Sequence, residues 1–424
     1  MGRAGSKLGL GATWAMAVGG MVGGGIFSTL GVVIAIAGPW SWLSFVAAGA
    51  IALAAGHAYV SLAAHYRKGG GAFTFLREID ATQVAGSLSW VLIVGYVLTN
   101  AVYAYTFGEY LGHVVGLGPW FARVAAVAIL AVFIGLNLRS VGDAGGVELV
   151  LVWFKLAALV ALAGWGLARW DPPALGRGVA DAGVVSALFG AASVFMAYEG
   201  FQLLAYDYDD IEAPRRTLPR AVMSAIVVVI GVYVVVALGT AMLIGADQVV
   251  AHAEVALAIA GERAAGTAGL VIVTIAAAFS TGSAINSTLF ATARLAHEVA
   301  AGSQLPAALD HENAAGIPDR AVVALGVLAA ILAAVGTLTS LVEAASLAFL
   351  TTFAIVCGLA FRERSGARVV TGLGAVAATA AAIALVDRLV RTDPLALAFL
   401  GGLVVVAVLG RPILLRHVRT EQAR

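Results

Sequence analysis

Residues 19–27 read Gly19-Gly20-Met21-Val22-Gly23-Gly24-Gly25-Ile26-Phe27, and the reading of this stretch decides the fold. Apolar sequence flanks it on both sides, so the whole of 9–36 is long enough to cross a bilayer, which takes about 20 residues. Five of the seven positions from 19 to 25 are glycine. Each weakens a helix by roughly 1 kcal/mol relative to alanine. Close packing against a neighbouring helix is met by one pair of small residues four apart. Three consecutive glycines exceed that need, so the spacing predicts an unwound segment at Gly23, Gly24 and Gly25. Irregular backbone at membrane depth survives only where it is buried in protein or lines a cavity.

A second interruption stands at Phe195-Met196-Ala197-Tyr198-Glu199-Gly200-Phe201, where a carboxylate and a glycine break another apolar run. Gly24 and Gly200 are separated by about the length of five spans with their loops. Broken helices at corresponding positions of two halves point to a transport site between inverted repeats. The N–H groups and positive dipole end of one half-helix would hold a substrate carboxylate. The free C=O groups of the other half would face a cation or ammonium.

The composition agrees with a bilayer environment. Of 424 residues, 61% are hydrophobic and 12% charged. Soluble chains carry about 25% charged residues, so a soluble enzyme or a disordered chain is unlike this one. A net charge of +1 leaves no basic footprint for nucleic acid. One cysteine, Cys357, excludes an intrachain disulfide, and seven scattered histidines give no zinc spacing. Neither a metal nor a cofactor is expected.

Twelve apolar runs are candidate helical spans: 9–36, 41–63, 84–111, 120–138, 147–167, 183–206, 221–244, 267–296, 321–337, 340–361, 368–386 and 395–410. A membrane barrel would show ten-residue alternating segments instead. Lys and Arg set the orientation. With the amino terminus inside, 18 of the 25 fall on inner segments, among them Arg67, Lys68, Arg215, Arg216, Arg294, Arg362 and Arg364. Six fall outside (Arg123, Arg169, Arg177, Arg263, Arg388 and Arg391), and Lys155 lies within a span. A multi-pass protein of the cell membrane, surrounded by lipid, with both termini cytoplasmic and a retained first span, is therefore expected. No soluble domain is expected, because the longest connections, 245–266 and 297–320, are short.

Five motifs in order carry a resemblance to the amino acid–polyamine–organocation permease superfamily, and to its amino acid permeases. Gly23-Gly24-Gly25-Ile26-Phe27 resembles the first-helix break of that family, and Arg67-Lys68-Gly69-Gly70-Gly71-Ala72-Phe73 resembles its inner loop after the second helix. Phe195 to Phe201 resembles the sixth-helix break. Asp209 to Arg220 resembles the loop that follows, and Ser280 to Arg294 with Leu305-Pro306 resembles the eighth helix and its exit. Ala213 stands where the family commonly has Asn, Met196 where it has an aromatic, and Glu199 where it commonly has a neutral residue. Losing the Asn is expected to cost a local turn hydrogen bond. The resemblance implies an all-α integral membrane protein of twelve helices with a leucine-transporter-type 5+5 inverted repeat. The first repeat would be 8–170, the second 183–361, helices 1 and 6 broken, and 368–410 two extra helices, all within one transporter domain, 1–424.

On this basis the substrate site is expected at Gly23, Gly24, Gly25 and Ile26 with Phe195, Ala197, Tyr198, Glu199 and Gly200. Lys155 lies near the middle of the fifth span, ~12 Å from either end at 1.5 Å per residue. An uncompensated charge there costs about 2.5–3.5 kcal/mol. Its readings are snorkelling to the interface, a fixed structural cation, for example paired with Glu148, or a coupling site. Proton-coupled members of the family resemble this chain in that lysine, which would face the first-helix break with Ser280 and Ser283 as eighth-helix neighbours. Glu199 is either a pocket carboxylate favouring a cationic or amine substrate or a cap on the half-helix after it. His57 reads as bonded to a neighbouring carbonyl or as a proton relay, and Glu109 and His113 as rim residues. Asn100, Tyr103 and Tyr105 read as packing that could reach the pocket. Tyr206, Asp207, Tyr208, Asp209 and Asp210, at the inner exit of the sixth helix, read as a gate or a loop salt-bridge cluster with Arg215 and Arg216, ahead of a calcium site, for which no EF-hand-like spacing is present.

The function expected is secondary active transport of an amino acid or related amine by alternating access, as proton-coupled symport. Exchange without proton coupling is the alternative, and a channel a further one. An enzyme is not expected, since no phosphate loop and no intramembrane catalytic cluster occurs. The substrate's identity and the oligomeric state are open.

Overall fold

A computed structural model describes residues 7–139, 145–394, 397–398 and 401–402. The order of helices is α1 (Leu10–Met21), α2 (Gly25–Ala37), α3 (Ser41–Tyr66), α4 (Ala72–Arg77), α5 (Thr82–Val115), α6 (Gly118–Leu138) and α7 (Gly145–Leu167). It continues with α8 (Ser186–Ser193), α9 (Pro214–Ile244), α10 (Ala246–Ala251), α11 (Ala256–Ala301), α12 (Asp319–Val335), α13 (Leu338–Arg362) and α14 (Arg368–Thr392). Among the described residues there is no strand, and the one β-type contact is an isolated bridge between Leu8 and Ile211.

Among the described residues, eight helices are long and apolar enough to cross a membrane. The difference from twelve expected spans has physical causes. The first span is divided into α1 and α2. The sixth consists of the eight-residue α8 and short 3-10 turns over Phe195–Tyr198 and Phe201–Ala205, so no piece reaches spanning length. α12 has 17 residues. The span expected at 395–410 lies almost entirely outside the described residues. The connection 245–266 proves largely helical, because α11 joins a helical arm from Ala256 to the span expected at 267–296 across non-helical backbone at Ala265 and Gly266.

Helix ends follow local chemistry. α5 stops at Gly116, whose φ of 73° is the left-handed cap that glycine adopts without penalty. α9 starts with Pro214 at its first position, where the missing N–H costs nothing. Ala213 just before it has φ 44° and ψ 57°. Replacing the family's Asn therefore does more than remove a turn hydrogen bond: an alanine is placed in a left-handed conformation that Asn tolerates better.

Apolar side chains fill the interior and also cover much of the surface, as a bilayer allows and water does not. Val124, Val132 and Leu136 on α6, and Val369, Leu373, Val376 and Ile383 on α14, are exposed. The centre is dense and aromatic, with Phe27, Tyr103, Tyr110, Tyr198 and Tyr233 fully buried. α1 packs on α7 and α9, while α5 runs against α11 and α13, so the broken segments lie inside a frame of long helices.

Candidate functional site

The two breaks meet backbone to backbone. Gly200 has φ 123°, and a Cβ there would lie 2.6 Å from the carbonyl carbon of Gly20 and 2.9 Å from the N of Met21. Only a glycine allows both that torsion and that approach. A Cβ on Gly25 would lie 2.6 Å from the carbonyl oxygen of Ala197, and one on Gly24 would overlap the ring of Tyr103. The predicted glycine positions are thus filled by their neighbours, and Gly23 abuts Ala284 of α11 in the same way. Ile26, Phe195, Ala197 and Tyr198 are fully buried at the same junction.

The backbone polarity there is set by helix ends. The N–H groups of Gly25, Ile26 and Phe27 are in the first turn of α2 and have no acceptor within the helix. On the other side of the crossing, Met21 and Ala197 present carbonyls, and the hydroxyl of Tyr233 on α9 lies 2.7 Å and 2.8 Å from them. One hydroxyl proton serves two carbonyls, one from each break. Ser28 donates to the carbonyl of Gly24 at 2.7 Å and meets Thr106 of α5 at 2.8 Å.

Glu199 is 1% exposed. Tyr103 donates its hydroxyl to Glu199 Oε2 at 3.2 Å, and Gln202 Nε2 donates to Oε1 at 3.2 Å. The N–H of the neighbouring Gly200 donates to Gln202 Oε1 at 2.9 Å. Gln202 Nε2 also reaches the Tyr96 hydroxyl at 3.2 Å. Glu199 is thus a buried carboxylate held by side chains, directly before the Gly200 N-cap of the following 3-10 turn. Tyr103, expected mainly as packing, touches Gly24 with its ring and Glu199 with its hydroxyl.

Lys155 is 1% exposed, and its Nζ donates to the carbonyl of Gly19 at 3.0 Å. Its ammonium stays at depth, at the carboxyl end of α1, so it does not snorkel. A cation at the negative end of a helix is favourable. The side chain of Glu148, its alternative partner, lies outside the described residues. Ser280 is fully buried with no hydrogen-bond partner for its hydroxyl, whereas Ser283 is half-buried.

A cavity of about 270 Å³ opens on the crossing of the breaks, lined by Gly20, Gly200, Met16, Leu203, Ser287 and Phe290 among others. It shares Tyr206, Phe290 and Arg294 with a second cavity of about 380 Å³ that carries Asp209, His297, Glu298 and Glu312. Both cavities border Arg294, and the second is the more polar of the two. Asp207 pairs there with Arg294 of α11 at 3.9 Å, not with the expected Arg215 or Arg216. A larger cavity of about 700 Å³ lies apart from the breaks, between α3 and α14. Its walls are almost wholly apolar, and His57 at its edge accepts a hydrogen bond from the Ala367 N–H at 2.9 Å. That contact corrects the carbonyl expected as its partner.

Sequence reading missed Tyr96, Gln202, Thr106 and Tyr233. Tyr233 carried a signal: a lone phenol in the Val-rich run 226–236, whose polar tip has to find a partner when buried. Gln202, three residues after Glu199, had the spacing to meet it.

Two interrupted helices that offer free N–H groups and carbonyls at one buried crossing, inside a multi-pass helical membrane protein, define a transporter. The chain belongs to the amino acid permease family, whose profile matches residues 8–406. It is 31% identical over 303 residues to an uncharacterised protein of Methanocaldococcus jannaschii, covering 71% of this chain and 70% of that one. It is 30% identical to the inner membrane transport protein YbaT of Escherichia coli, covering 72% of each. It is 24% identical to the serine/threonine exchanger SteT of Bacillus subtilis, covering 69% of this chain and 67% of that one. The protein is thus a multi-pass membrane transporter of amino acids and not an enzyme.

Proposed function

We propose that this permease is a secondary active transporter that carries a small amino acid or related amine together with a proton, by alternating access around the two breaks. The substrate carboxylate lies on the N–H groups of Gly25 and Ile26, and its ammonium faces the carbonyls of the sixth-helix break with Glu199 beside them. In this reading the chain has twelve spans with both termini cytoplasmic. Its repeats are 8–170 and 183–361, followed by the extra helices of 368–410.

The observation that carries proton coupling is the Lys155 ammonium on the Gly19 carbonyl. A charge-assisted bond of this kind is roughly twice as strong as a neutral one. Gain and loss of the proton on Lys155 would therefore tighten and loosen the carboxyl end of α1, which is one wall of the site. The buried Ser280 hydroxyl without a partner lies on the eighth span, where the same reading puts a second contact.

The test is uptake into proteoliposomes by the parent and Lys155→Ala. The variant should lose accumulation driven by a proton gradient while keeping part of its exchange. If it concentrates substrate as well as the parent, the coupling role is wrong. Proton-independent exchange is the second reading, favoured by the name of the Bacillus subtilis relative. It predicts uptake only into preloaded vesicles, with Lys155 a fixed cation.

A further inference from the structure

The sixth span is fastened a second time, away from Lys155, by residues that substrate binding and coupling do not use. α8 ends at Ser193, whose hydroxyl donates to Glu343 Oε1 of α13 at 2.9 Å. The same oxygen accepts from Arg388 Nε of α14 at 2.8 Å. One turn further along α13, Ser346 donates to the carbonyl of Ser193 at 2.8 Å and accepts from the N–H of Met196 at 3.0 Å. Three helices are thus joined in one polar knot immediately before the break.

The chemistry requires the arginine. The Glu343 side chain is 2% exposed and that of Arg388 23%. A buried carboxylate is tolerated when paired and hydrogen-bonded, and becomes costly when its partner is removed. The last turn of α8 is also the negative end of its dipole, which disfavours a carboxylate unless a cation accompanies it. The described cavity at the crossing of the breaks opens toward Arg294, at the end remote from this knot in the expected topology.

We propose that the Arg388–Glu343 pair is a lock on the outer half of the sixth span. It holds α8 against α13 and α14 while the site is open toward Arg294, and it releases for the site to open on the α8 side. This rests on the alternating-access reading above. Arg388 and Glu343 act through Ser193 and Ser346, so they are positioning residues and do not bind substrate.

Ser44 of α3 provides a reporter. It is fully buried, and a Cβ on Gly190 of α8 would overlap its hydroxyl, so movement of α8 uncovers it. The chain's one cysteine is Cys357, and it can be removed by C357A. In the S44C/C357A background, full-length protein in detergent is labelled with N-ethylmaleimide, a reagent that reaches both faces. E343Q and R388Q are each expected to speed labelling about tenfold, the scale of one lost charge-assisted hydrogen bond. S193A, which leaves the ion pair in place, is expected to give a smaller rise. Unchanged labelling in E343Q and R388Q overturns the lock. If those two do not fold, unchanged labelling in S193A overturns it. The reading needs no substrate, so a parent protein that fails to transport would sink the transport reading separately from the lock.

Discussion

At the residue scale, Glu199 is the side chain that sets this chain apart within the sixth-helix motif. Its carboxylate is buried and held by Tyr103 and Gln202, and the backbone N–H beside it is satisfied by Gln202. In the proposed reading such a carboxylate beside the carbonyls of the break favours a substrate with positive charge. Glu199→Gln keeps the shape and removes the charge. It should lower the preference for cationic over neutral substrates by about tenfold, the scale of one charge-assisted contact. Competition of unlabelled amino acids and amines against a labelled substrate measures this, and an unchanged ranking would leave Glu199 as a structural residue. The sequence drew attention to Glu199 and Lys155 because an ionisable group in an apolar run demands a reason. It could not say that Gln202 would hold both Glu199 and the Gly200 N–H.

At the scale of elements, the breaks were legible because glycine runs and a mid-span carboxylate are costly in an ordinary helix. What the sequence did not reveal is how much of the sixth span departs from α-helix. Apolar composition is compatible with α and 3-10 turns alike, and contacts decide between them. Tyr198, for instance, ties the 3-10 turn to α3 by donating to the Phe45 carbonyl at 2.7 Å. The first arm of α11 was hidden for a related reason: its Glu262 and Arg263 interrupt the apolar run within 245–266. The entry to α9 gives a test at this scale. Ala213 is left-handed and sits at the helix N-cap. Ala213→Asn supplies a residue suited to both and should stabilise the protein by about 0.5–1 kcal/mol. Thermal unfolding of the purified protein should show a raised midpoint; a lowered one would mean that the left-handed turn is not what limits Ala213.

For the whole molecule, apolar residues fill the interior and cover the outer faces, while buried polar groups gather at the crossing of the breaks and at the Ser193–Glu343–Arg388 junction. Lys155 on α7, Tyr233 on α9 and Tyr103 on α5 each attach a long helix to a broken one. In the proposed reading a proton or a substrate acts on the two broken segments, and a break in the Arg388–Glu343 pair acts on the one of them that follows Ser193. The all-helical membrane class and the two breaks were readable in the sequence because a bilayer penalises every interruption. The attachments were not, because a tyrosine or glutamine in a span does not declare its partner.

The central claim is that a proton gradient drives amino acid accumulation through this site. It is tested most directly by reconstituting the purified protein in proteoliposomes and measuring uptake of labelled amino acids and amines with and without an inward proton gradient. The account predicts accumulation above the external concentration that collapses when a protonophore is added. Uptake that ignores the gradient and appears only in vesicles preloaded with substrate would contradict it and make the protein an exchanger.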